Sequence, residues 1–130
     1  MREAAWGPFS RIVALYRPTV TYAPGLWGAM FHSTDNRVMN RLVSAFTSLV
    51  LHRGLKKLLR RVQPDLIVSV YPLTNYAMRQ ALTALGLATP FVVVTTDLFD
   101  THPAWYAGHP DLVIVPTEGA QQRALAYAVP

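Results

Sequence analysis

Residues 63–73 read Gln63-Pro64-Asp65-Leu66-Ile67-Val68-Ser69-Val70-Tyr71-Pro72-Leu73, and the chain changes character there. Pro64 disfavours helix at the residue before it, so it ends any helix that arrives from upstream. Leu66 to Val70 is a short run rich in β-branched residues with little polar alternation, the pattern of a strand buried on both faces. Downstream, Asn75 to Leu85 reads as a helix closed by Gly86, and Phe91 to Thr96 as a second strand. Leu112 to Val115 reads as a third strand and Glu118 to Ala128 as a last helix. Strands alternating with helical segments predict βαβ units, hence an α/β fold with a parallel sheet and right-handed crossovers.

Upstream of the break the pattern is helical. Phe9, Ile12, Val13, Leu15 and Tyr16 mark a first segment over residues 8–23, interrupted by Pro18. Leu26 to Phe31 is a second short apolar stretch, and Ser33-Thr34-Asp35-Asn36 offers capping side chains. A long helix is expected from about Arg37 to Val62, with Val38, Leu42, Ala45, Phe46, Leu49 and Val50 at steps of three and four. Gly54 is placed to bend or split it. The chain thus divides into a helical region over 1–62 and an α/β unit over 63–130.

With 52% hydrophobic and 15% charged residues, the 130-residue chain has enough apolar mass for a core. It has no cysteine, which excludes disulfides and thiolate metal sites. Its four histidines are scattered, without metal-ligand spacing, and no metal or cofactor is expected. No uninterrupted apolar run is long enough to span a bilayer. The net charge of +5 is uneven: residues 1–62 hold ten Lys/Arg against two Asp/Glu, residues 63–130 two against five. Such asymmetry points to an anionic membrane or a nucleic acid as partner of the first half. Arg53, Lys56, Lys57, Arg60 and Arg61 are interleaved with leucines. They read as a headgroup-binding face or as a merely solvated one. Trp27 and the other aromatics of the proline-broken segments favour the membrane interface over a nucleic acid.

Ligands of open parallel sheets bind beyond the C-terminal ends of the strands. The exit of the first strand carries Tyr71 and Pro72, that of the second Asp97, His102 and Trp105, that of the third Glu118. Asp97 reads as a general base or a metal-adjacent carboxylate, or as a strand-end carboxylate taking local backbone N–H groups. His102 reads as a proton acceptor or anion ligand, or as a loop histidine bonded to its own backbone. Trp105 reads as a ring that stacks on a sugar or lipid, or as packing between loop and helix. Glu118 reads as a carboxylate favouring a helix N-terminus.

These stretches carry a resemblance. Residues 63–73, then Val94-Thr95-Thr96-Asp97-Leu98 with His102-Pro103-Ala104-Trp105, then Asp111 to Glu118, resemble segments of the monogalactosyldiacylglycerol synthases and the processive diacylglycerol glucosyltransferases. The resemblance implies the N-terminal acceptor domain of a GT-B glycosyltransferase. The implied fold is a partial Rossmann-like sheet preceded by a helical, membrane-associating insertion. The implied reaction is hexosyl transfer from a UDP-sugar to diacylglycerol. Asp97, His102, Trp105, Tyr71 and Pro72 then line the acceptor side, on an enzyme seated monotopically on the cytoplasmic face of a membrane. The glycine-rich loop with its histidine, and the nucleotide-sugar domain, have no counterpart in these residues. The chain is therefore expected to be a fragment, inactive alone, that meets the donor only through the missing domain. The alternatives are the related N-acetylglucosaminyltransferase of peptidoglycan precursors and a basic nucleic-acid-binding module.

Overall fold

A computed structural model describes residues 7–34, 37–98 and 101–127. Three helices come first: α1 (Gly7–Tyr22), α2 (Pro24–Thr34) and α3 (Arg37–Val62). The α/β portion follows as β1 (Ile67–Ser69), α4 (Asn75–Leu85), β2 (Phe91–Val94), β3 (Leu112–Ile114) and α5 (Glu118–Ala126). Short 3-10 turns at Pro72–Thr74 and Pro103–Trp105 sit at the exits of β1 and β2.

The sheet is parallel, in the order β1-β2-β3. Val68 pairs with Val92 and Val92 with Leu112, so one register runs across all three strands. The alternation-free strands are each a little shorter than their sequence pattern, and α5 ends at Ala126 with Tyr127 as its cap. At the end of α4, Gly86 takes the left-handed conformation (φ 64°) that a side chain disfavours, and its N–H closes the helix on Leu82 and Thr83.

Two upstream expectations are corrected. Pro18 does not interrupt α1, which continues through it to Tyr22. The Thr19 hydroxyl donates to the Leu15 carbonyl at 2.7 Å, supporting the turn in which proline withholds its N–H. Gly54 does not split α3. Leu51, Leu55 and Leu59, on both sides of it, are buried to 4% exposure or less and pack against α4. Burying three leucines outweighs the cost of about 1 kcal/mol for one glycine inside a helix.

The core is a single cluster. Leu51, Leu55 and Leu59 of α3 meet Ala77, Ala81 and Leu82 of α4, Phe91 and Val93 of β2, Trp105, Tyr106, and Ala124 of α5. All of it lies against one face of the sheet. The other face differs from the expectation of a strand buried on both sides: Leu66, Val68, Val70, Leu112 and Ile114 are each about half exposed. Among the described residues nothing covers them, because α3, α4 and α5 all contribute to the same core.

The apolar residues that mark α3 in the sequence are also not the ones that bury it. Val38, Leu42, Phe46 and Leu49 are 56 to 81% exposed, whereas Ser44 and Thr47 are turned inward. Core truncation should separate the two sets. Leu55→Ala should cost about 2–5 kcal/mol in urea unfolding, while Leu49→Ala should stay within about 0.5 kcal/mol. Equal costs would contradict this orientation of α3.

Candidate functional site

The β2-to-β3 connection, residues 95–111, runs between parallel strands and has no α-helix among its described residues. Its backbone groups must therefore find partners elsewhere; Arg123 of α5 donates to the Thr101 carbonyl at 2.6 Å, and α4 supplies most of the rest. Asn75, fully buried, donates from its amide to the Trp105 carbonyl at 2.9 Å and accepts from the Ser69 hydroxyl at 2.6 Å. Arg79 donates to the carbonyls of Gly108 at 3.1 Å and His109 at 2.9 Å, and pairs with Asp111 at 3.0 Å. Its guanidinium also lies 5.5 Å from the Phe91 ring centroid. Gly108 has φ 88°, and a Cβ there would come within 2.9 Å of the Asn75 carbonyl oxygen. Only glycine lets the loop lie this close to α4.

Within that connection the sequence-predicted residues come together. The Trp105 indole N–H donates to Asp97 at 2.6 Å. The Ala104 N–H donates to His102 Nδ1 at 3.1 Å, so His102 caps the 3-10 turn that carries Trp105. Trp105 itself is only 2% exposed. Of the two readings its sequence left open, its burial selects packing between loop and helix, with its one polar atom aimed at Asp97. Asp97 remains half-buried at the rim. Its partner is a side chain rather than the local backbone of the plainer reading.

The other strand exits meet the same rim. At the β1 exit, the Tyr71 N–H donates to the Ser69 hydroxyl oxygen at 3.4 Å, and the turn begun by Pro72 packs against the turn that holds Trp105. At the β3 exit, the Thr117 hydroxyl donates to the Leu98 carbonyl and accepts from the Ala120 N–H, capping α5. Glu118 opens the first turn of that helix, where a carboxylate complements the helix dipole. Behind the rim, Thr101 and Tyr106 share a 2.5 Å hydrogen bond and Tyr106 stacks on Tyr127. Burial holds the Tyr106 phenol above its ordinary pKa.

The basic residues lie elsewhere. Arg53, Lys57, Arg60 and Arg61 are exposed on α3 and Lys56 is half-buried. Trp27 is on α2, with its side chain outside the described residues. Beside Arg53 a cleft of about 870 Å³ opens between α3 and α4. Ala45, Leu49 and Val50 give it an apolar wall, and His52, Arg53, Tyr76 and Gln80 edge it with polar groups. The cleft and the clamp residues Asn75, Arg79 and Gly108 were not singled out in the sequence. Asn75 follows a strand exit at a helix start, the one local sign that could have drawn notice.

The family described as monogalactosyldiacylglycerol (MGDG) synthase matches residues 2–130. The chain belongs to the MGDG synthase family. It is 35% identical over 101 residues to the chloroplastic monogalactosyldiacylglycerol synthase of Spinacia oleracea, covering 76% of this chain and 19% of that protein. It is 33% identical over 120 residues to a probable chloroplastic monogalactosyldiacylglycerol synthase of Glycine max, covering 91% of this chain and 22% of that protein. With the Arabidopsis thaliana synthase 1 it shares 32% identity over 101 residues. The chain thus spans about a fifth of the length of these curated relatives. No solved structure is a significant match. In this member of the family the connection between β2 and β3 holds the motif residues, and side chains of α4 and α5 fasten it.

Two measurements probe the clamp. Asn75→Ala removes the amide that the Trp105 carbonyl and the Ser69 hydroxyl bond to and should cost about 2–3 kcal/mol in denaturant unfolding. Asp111 has its pKa lowered first by the Phe91 N–H, which donates to it at 2.8 Å, and then by Arg79. A lowered folded-state pKa stabilises above the ordinary carboxylate range and is lost as pH falls through the lowered value. The stability gap between wild type and Asp111→Asn should therefore be full above about pH 4 and close in stronger acid. A gap that is constant with pH would remove Asp111 from the clamp.

Proposed function

We propose that these residues form the acceptor side of a glycosyltransferase that moves galactose or glucose from a UDP-sugar to diacylglycerol. The observation that carries this reading is the convergence of the three strand exits on one rim, with Asp97 held by the buried Trp105. Family membership and the names of the relatives support the chemistry. In the reaction, the free hydroxyl oxygen of diacylglycerol attacks the anomeric carbon. The bond from that carbon to the diphosphate breaks, UDP leaves, and the hydroxyl proton passes to a base.

The parts assigned to this chain are binding and orientation. Asp97 is a half-buried acceptor that can take a hydrogen bond from a sugar or glycerol hydroxyl. Trp105 acts through Asp97, as a positioning residue. His102 holds the turn on which Trp105 rides, and Tyr71 and Pro72 border the same rim. The α3–α4 cleft, apolar with a polar edge, suits an acyl-glycerol body. The catalytic base is assigned to no residue of this chain. Donor binding is assigned to polypeptide beyond these residues, so the 130-residue chain alone should not turn over. The working location is the bilayer surface, with the enzyme peripheral and on the cytoplasmic face. No helix among the described residues is long and apolar enough to cross a membrane.

A chimera tests the proposal: this chain replaces the matching segment of the Glycine max relative, and transfer from UDP-galactose and UDP-glucose to diacylglycerol is measured. The chimera should transfer sugar. Asp97→Asn and Trp105→Phe within it should each lower kcat/KM by about tenfold or more, the value of one charge-assisted hydrogen bond. The circular dichroism should stay unchanged. Wild-type turnover in both variants would remove the pair from the site. In parallel, a photoactivatable diacylglycerol should label residues 45–54 or 76–80 of the isolated chain. Labelling confined to other residues would move the acceptor out of the cleft.

A further inference from the structure

The last helix, α5, has two unlike sides. Thr117, Ala120, Arg123, Ala124 and Tyr127 recur at steps of three and four, which places them along one side. Ala120 and Ala124 are buried there, and such small side chains bring the helix close to the chain it covers. Thr117 and Arg123 stand at the two ends of this side. On the opposite side Gln122, Leu125 and Ala126 are exposed.

Those two polar residues hold the segment that carries Asp97. The described residues that follow Asp97 are Leu98 and Thr101, and α5 takes the carbonyl of each. The Thr117 hydroxyl donates to the Leu98 carbonyl while it accepts the Ala120 N–H. Arg123 Nε donates to the Thr101 carbonyl at 2.6 Å. Thr101 is fully buried, and its hydroxyl shares a 2.5 Å hydrogen bond with Tyr106. The Tyr106 ring stacks on Tyr127, the residue that ends α5, with centroids 5.4 Å apart. Tyr106 is also the chain neighbour of Trp105, whose indole N–H donates to Asp97 Oδ2 at 2.6 Å. Asp97 and Arg123 both lie within electrostatic reach of the Tyr106 phenol, so one buried ring has the two charges about it. Packing alone would need only the alanines. The hydroxyl and the guanidinium add direction, because a hydrogen bond weakens steeply as it bends.

We propose that α5 aims Asp97: Arg123 and Thr117 are positioning residues that fix the Thr101 and Leu98 carbonyls, and with them the carboxylate that takes the acceptor hydroxyl. This deepens the acceptor reading given above and rests on it. Trp105 occupies Oδ2, which assigns Oδ1 to the acceptor. Arg123 and Thr117 do not touch the acceptor; both act through Asp97. The two helices divide the connection between them. α4 holds Trp105, Gly108 and His109, and α5 holds Leu98 and Thr101. Loosening α5 therefore leaves the Asn75 and Arg79 bonds in place. Trp105 stays buried, while Asp97 loses its direction toward the indole and toward the acceptor. An error of about 1 Å in an orienting group costs up to about 10²-fold in rate, so bonds on the far side of the loop reach the chemistry.

Arg123→Met removes the donors at nearly constant length, and Arg123→Lys restores one. Thr117→Asp still accepts the Ala120 N–H as a helix cap but cannot donate to Leu98. Gln122→Ala, on the exposed side, is the control. The indole N–H resonance of Trp105, assigned with Trp105→Phe, is read by NMR in the isotope-labelled full chain, and Asp97→Ala gives its position without the bond. Arg123→Met and Thr117→Asp should each move the resonance toward that position. Arg123→Lys should bring most of it back, and Gln122→Ala should leave it unmoved. In the Glycine max chimera, Arg123→Met and Thr117→Asp should each lower kcat about tenfold with the KM for UDP-galactose unchanged. Neither should lower it further in an Asp97→Ala background, since both act through that carboxylate. A resonance unmoved in both variants overturns the proposal, as does a loss of kcat that multiplies with that of Asp97→Ala. Should Arg123→Met fail to fold, Thr117→Asp decides by the same readings. A moved resonance with wild-type turnover in Asp97→Ala sinks the acceptor reading and leaves the aiming of Asp97 by α5 standing; an inactive Asp97→Ala with an unmoved resonance does the reverse.

Discussion

The connection between β2 and β3 is the constraint on which the rest depends. Parallel strands are usually joined by a helix that satisfies its own backbone. The described residues of 95–111 include only a 3-10 turn; the Trp105, Gly108 and His109 carbonyls are met by side chains of α4, and that of Thr101 by Arg123 of α5. Asn75 and Arg79 are one helical turn apart, so the loop is fastened at two successive levels of the same helix. Gly108 permits the close approach that those bonds require. Because the loop is fastened, Trp105 is buried and its indole N–H has one direction left, toward Asp97. The geometry of the rim follows from the packing behind it.

The helix α3 connects that packing to the surroundings. Its second half is core, joined to α4, while its first half presents apolar residues outward. The core is therefore continuous across the point where the sequence changes from helical to α/β texture. Leu51, Leu55 and Leu59 pack against α4, the helix whose Asn75 and Arg79 fasten the motif loop. The cleft lies between these same two helices.

Much of the fold was legible before any coordinates. Pro64, the β-branched runs and Gly86 mark where helices stop and strands begin, and α3, α4 and the three strands lie where those signals put them. The strand-exit rule also brought Asp97, His102 and Trp105 to attention together, since it depends only on the sheet being parallel. Less was legible of what each side chain faces. Trp105 is as compatible with a stacking platform as with a core residue until the depth of its loop is known. Asn75 has only its place at a helix start after a strand exit to mark it, and Gly108 has no local mark, because their partners are about 30 residues away. Pro18 and Gly54 misled for the same reason: a local cost of a few kcal/mol yields when tertiary contacts exceed it.

The sequence by itself determined the order of elements, the parallel α/β class and the concentration of positive charge in the first half. Those rest on local conformational preference, periodicity and composition, which need no distant partner. Only the tertiary structure decided that α3 turns Leu51, Leu55 and Leu59 inward and Val38, Leu42, Phe46 and Leu49 outward. Both sets recur at helical spacing, and periodicity identifies a stripe without saying which stripe is covered. That depends on where α4 lies, and α4 is positioned by contacts between residues far apart in the chain.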